Sequence, residues 1–134
     1  MIDIYLSCPY SDPDPKVREC RFNTVNDFAA VLFRAGLSVF SPISHTHPIA
    51  EAGCLPVDFA FWKDCDLAFI ELCRTLVVLQ LPGWGLSHGV YCEIEIAAEL
   101  GKPLMYARTS TTPHEIREWI KSVSDVCANG GDAW

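Results

Sequence analysis

The sequence predicts a single doubly wound α/β domain, with a parallel sheet of four to five strands flanked by helices. Three observations carry that prediction. Short apolar runs alternate with longer helical patterns, the order required by parallel strands joined through crossover helices. At 134 residues the chain suits one hydrophobic core. The most apolar run, Leu-Val-Val-Leu at 76–79, crosses a glycine-rich turn into an amphipathic helix, the unit from which such sheets are built.

The elements follow in order. Residues 2–7 read as the first strand, closed by the turn 8–13 with its two prolines. A helix is expected over 15–35, with Val25, Phe28, Ala29, Leu32 and Phe33 on one face and Gly36 as its stop. Residues 37–40 form a short second strand. The segment 41–49 is polar and proline-rich, which predicts a loop. A helix over about 56–73 leads into the third strand, 76–81. Ser87 caps a helix that ends at Gly101, and 103–107 make a fourth strand. Thr112 and Pro113, a cap followed by a first-turn proline, open a last helix reaching about Cys127. The domain thus covers 1–127, and 128–134 are expected to fray. Repeats, linkers and low-complexity segments are absent from the sequence.

Composition removes several classes of function. Ten basic against 17 acidic residues give a net charge of -7, and no Lys/Arg stripe exists, so polymeric nucleic acid is not an expected partner. No apolar stretch approaches the ~20 residues needed to cross a bilayer, so no membrane partner is expected either. The start 1–6 is acidic and lacks the basic region of a signal peptide. Seven scattered cysteines without a Cys-x-x-Cys pair predict reduced thiols and a cytoplasmic location.

The candidate chemistry centres on 81–97. In an open α/β sheet, ligands bind beyond the carboxyl ends of the strands, where helix N-termini present free N–H groups. Ser87 is a natural cap there, and Gly83, Gly85 and Gly89 allow close backbone approach. This pattern predicts an anion site and a phosphorylated small molecule. Val90, Ile94, Ala97 and Ala98 form the apolar stripe of the helix, while Glu95 and Glu99 lie opposite. Glu93 falls on the border, where partial desolvation would suit a nucleophile or general base. The alternative is a carboxylate that only stabilises the helix start. The same sheet edge gathers 5–10, 41–47 and 83–93 into one crevice.

His45 and His47 invite a metal, but no third ligand has useful spacing, so they are expected to contact substrate or pack locally. Neither a metal nor another cofactor is expected. Ser87 and His88 lack the signature of a hydrolase triad. The run Phe-Ala-Phe-Trp at 59–62 cannot turn wholly to one core, which places part of it at a subunit interface.

These motifs resemble the nucleoside 2-deoxyribosyltransferase-like superfamily, and within it a group of small bacterial and phage proteins without settled function. The resemblance covers roughly residues 4–104. It is carried by Ile-Tyr-Leu-Ser-Cys-Pro-Tyr at 4–10, by the helix end and strand at 33–42, by Ser-Pro-Ile-Ser-His-Thr-His-Pro-Ile-Ala at 41–50, and by Ser87-x-Gly89-x3-Glu93. It implies a flavodoxin-like fold with Glu93 as the nucleophile that attacks C1′ of a sugar and Tyr5 as its orienter. Ser87, in place of the Asp of transferases on free nucleosides, implies hydrolysis of a nucleoside 5′-monophosphate. Ser87 and Gly89 would then meet the phosphate, with the turn from Ser7 to Ser11 on its other side. Trp84 or Tyr10 would stack on the base, and His45 would contact substrate. The alternatives are a nucleotide sensor without turnover and a deoxyribosyl transferase between bases. Relatives are often dimers or larger, so a homo-oligomer is expected. One departure stands out: the superfamily's proton-donating Asp at the start of the third strand aligns with Arg74. Asp58, Asp66, His45 or His47 would have to replace it.

Overall fold

The computed structural model of the chain describes residues 1–131. Its elements are β1 (Ile2–Ser7), α1 (Pro15–Arg34), β2 (Val39–Phe40), α2 (Pro42–Gly53), α3 (Phe59–Glu71), β3 (Cys73–Leu79), α4 (His88–Glu99), β4 (Leu104–Ala107) and α5 (Pro113–Gly131), with a 3-10 turn at Trp84–Leu86. The four strands form one sheet in the order β2-β1-β3-β4, and every pairing is parallel. That order is flavodoxin-like and puts the topological switch point between β1 and β3.

Alternation along β1 builds both sides of the sheet. Ile4 and Leu6 join Val25, Phe28 and Leu32 of α1 and Ile116 and Ile120 of α5 in one core cluster. Tyr5 turns the other way, into a cluster with Ile70 of α3 and Val90 and Ala97 of α4. The chain therefore leaves β1 toward one face and leaves β3 toward the other. A crevice must open between the two exits. Ion pairing adds little to this core: among the described residues the recorded pair, Lys121–Glu118, is exposed.

The largest departure from expectation is 41–49, which is helical. Ser41 caps α2 by accepting from Ser44 N–H at 3.4 Å, and Pro42 takes the first position, where its missing N–H is harmless. Ile43, Thr46, His47 and Ala50 are buried, spaced i, i+3, i+4 and i+7. The stripe was present but disguised, because two of its four members are polar. Pro48 lies inside the helix and is exposed, on the side away from that stripe.

Smaller shifts occur at the ends of elements. β3 begins at Cys73, and α3 ends at Glu71, because Cys73 and Thr75 are buried in register with Ile2 and Ile4 of β1. α5 continues through Gly131, into the stretch expected to fray, and 132–134 lie outside the described residues. Among the described residues, no helix is long and apolar enough to cross a membrane.

Candidate functional site

A cavity of about 340 Å³ opens at the switch point, within the size range of small-molecule sites. Tyr10 from the loop after β1, Thr46 of α2, Asp66 of α3, and Ser87, Gly89 and Glu93 around the start of α4 all line it. Phe59 and Trp62 form an apolar wall.

Glu93 sits deeper than its helical wheel suggests. The buried positions of α4 are Val90, Glu93 and Ala97, so the carboxyl lies in the middle of the inner stripe, while Ala98 is exposed. Burial pushes the Glu93 carboxyl up to about 8, with the charge of Asp66 adding to the rise and the hydroxyls of Tyr5 and Ser7 opposing it. Ser7 Oγ donates to Glu93 Oε1 at 3.0 Å. Ser7 is itself fully buried and does not line the cavity, so it holds the carboxyl and not the ligand.

Tyr5 is fully buried on the same side of β1. Its Oη and Glu93 Oε2 both lack a hydrogen-bond partner, yet the two groups are close enough to perturb each other's ionisation. The phenol is pushed well above its ordinary range by burial and by the neighbouring carboxylate. It therefore stays protonated, a donor waiting beside an orphaned acceptor. Catalytic hydrogen bonds commonly tighten only when ligand is bound.

The second acid is Asp66. It is 7 % exposed, lines the cavity, and is raised to about 7 by burial. Asp66 shares an inner helical stripe with Trp62 and Ile70, as Glu93 does with Val90 and Ala97. One acid interrupting the apolar stripe of each of two packed helices is the signal that sequence reasoning underweighted. Arg74 is exposed near the amino end of β3, at the opposite edge of the sheet. Asp58 also lines the cavity but is exposed.

Several expected site residues are elsewhere. His45 is exposed, lies near Phe40 and Phe69, and does not line the cavity. His47 is buried: its Nδ1 pairs with Tyr10 Oη at 2.6 Å and its ring packs on Phe22. The two imidazoles thus serve different neighbours, and among the described residues no group of three or more potential ligands gathers around a metal position. Trp84 packs near Tyr106 at 5.4 Å between ring centres and does not line the cavity, whereas Tyr10 does. Phe59 and Trp62 face the cavity, whereas Phe61 is 51 % exposed. Cys8 lines the cavity too, but burial raises its thiol far above neutrality, which argues against a thiolate nucleophile.

Ser87 caps α4 as expected, accepting from Val90 N–H at 3.2 Å, which leaves its own O–H free to donate. Gly89 lines the cavity beside it. Gly83 does not meet a ligand position: a Cβ there would come within 2.9 Å of Arg21 Nη2. The family model described as "Domain of unknown function (DUF1937)" matches residues 2–109. The chain belongs to this family. The DUF1937 span holds all four strands, both buried acids and Ser87, and leaves out α5. No curated protein matches the chain.

Proposed function

We propose that this DUF1937 chain hydrolyses the base–sugar bond of a nucleoside 5′-monophosphate, with Glu93 as nucleophile and Asp66 as proton donor. The observation that carries the reading is the pair of buried carboxyls at one cavity, each raised toward neutrality. Such a pair shares its protons near neutral pH, and the reactive form is the minor singly protonated one, with Glu93 ionised and the proton on Asp66. Ionised Glu93 attacks C1′ as the bond from C1′ to the base nitrogen breaks, and Asp66 gives its proton to the departing base. Water then opens the glycosyl ester, Asp66 takes a proton from that water, and Glu93 is released as carboxylate. Free N–H groups at the start of α4, with the Ser87 hydroxyl, receive the phosphate.

The test is release of free base, followed by chromatography, from a panel of ribo- and deoxyribonucleoside 5′-monophosphates, with Glu93→Gln in parallel. Release that is lost in the mutant supports the reading and names the base. Release that requires a second base indicates transfer instead of hydrolysis. The sensor reading has its own support: with its carboxyl raised to about 8, much of Glu93 is protonated at neutral pH and is a poor nucleophile. Saturable binding without release from any nucleotide would favour it. A homo-oligomer, expected from the superfamily likeness, would use the face carrying exposed Phe61. The free thiols of this reading suit a cytoplasmic enzyme.

Tyr5→Phe separates function from folding. Removing a buried, unpartnered hydroxyl should leave stability unchanged or raise it by about 1 kcal/mol. Base release should nevertheless fall by about 100-fold, because the donor that favours ionised Glu93 is gone. Chemical denaturation and steady-state kinetics on one preparation check both halves.

A further inference from the structure

The exits of β1 and β3 run to opposite faces of the sheet, and among the described residues no backbone–backbone hydrogen bond joins the two loops that follow them. One side chain does. Arg21 of α1 donates through Nη1 to the carbonyls of Tyr10 and Ser11, each at 3.2 Å, and through Nη2 to the carbonyl of Pro82 at 3.1 Å. The first loop carries Tyr10 and Ser11 to the cavity, and the second leads to Leu86 and Ser87 on its other side. We propose that Arg21 is a positioning residue, a clamp across the switch point that sets the width of the cavity between Tyr10 and Ser87.

The planar fork is what the role needs. A guanidinium can serve three acceptors on two segments at fixed angles, which an ammonium on a flexible stem cannot. Gly83 fits the same account. Its φ of +89° favours glycine, and the 2.9 Å approach of Nη2 leaves no room for a Cβ. All three acceptors are neutral carbonyls, and the ion pair recorded among the described residues does not involve Arg21. Its charge is felt at the Cys8 thiol, where it opposes the effect of Glu93.

The ligand half of the proposal rests on the glycosidase reading, and the loop half does not. Arg21→Lys keeps the charge without the fork, and Gly83→Ala keeps Arg21 but pushes it aside. Both should speed amide hydrogen exchange in residues 10–14 and 83–87 together by about tenfold, with β1 and β3 unchanged. Both should raise KM for the cleaved nucleotide by about tenfold and hold kcat within about twofold, the signature of lost ligand positioning. Unchanged exchange, or acceleration in only one loop, would overturn the clamp. Faster exchange with wild-type KM would overturn the positioning role and leave Arg21 purely structural. If the wild type neither cleaves nor binds any nucleotide, the glycosidase reading fails. The exchange data then decide the clamp alone.

Discussion

Glu93→Gln should release no detectable base and yet be more stable than the wild type above pH 7. On the glycosidase reading Glu93 is the nucleophile, and its loss should lower turnover by about 10⁴-fold or more. The stability gain follows from linkage. Folded Glu93 keeps its proton up to about 8, against an ordinary 4.5 in the unfolded chain. The folded state therefore binds more protons between those values, and stability falls as pH rises through that window. What the neutral carboxyl contributes is complete below 4.5 and is lost as pH passes 8. Gln cannot ionise, so it retains that contribution, about 3–5 kcal/mol at pH 8 and above. Its amide can still donate to Ser7 Oγ and accept from Tyr5 Oη, so the substitution leaves no new orphan. Unfolding curves at pH 5 and pH 9 check this. The two proteins should nearly coincide at pH 5 and separate at pH 9, and equal separation at both would refute the buried-carboxyl account.

The second large effect concerns the pair. On the glycosidase reading, turnover needs one proton shared between Asp66 and Glu93, so kcat/KM should be bell-shaped, with limbs near 7 and 8 that belong to the pair and not to either acid. Asp66→Asn should remove the alkaline limb and lower the rate by about 10²–10³-fold, since the departing base loses its proton donor. The remaining acid limb should move below that of Glu93 in the wild type, because the charge of Asp66 no longer opposes ionisation of Glu93. A bell that survives Asp66→Asn would exclude Asp66 as the acid and point to His88, which lines the same cavity.

Much of the site was legible in the chain. Ser87-x-Gly89-x3-Glu93 follows a buried strand and sits where a helix starts, so its place at the sheet edge followed from topology. The first strand, 2–7, was also plain, because its alternation feeds both faces of the sheet. Burial of polar residues is not legible in the same way. Thr46 and His47 hide the stripe of α2, and nothing local singles out Asp66 among the four candidate proton donors Asp58, Asp66, His45 and His47. Helical spacing alone cannot tell a buried polar residue from a solvated one; only the neighbouring element decides that. His45 and Trp84 stand close to cavity-lining residues in the sequence yet lie near Phe69 and Tyr106, which shows how little such proximity constrains a side chain.

The sequence by itself determined the alternation of strands and helices, the cap of α4 and the identity of one acid, because these depend on local periodicity and local hydrogen bonding. The tertiary structure decided which second acid meets the first, which wall the aromatics form, and how Arg21 reaches Pro82 from sixty-one residues away. Those juxtapositions arise from sheet order and helix packing, and hydrophobic patterning is nearly indifferent to which buried faces end up together.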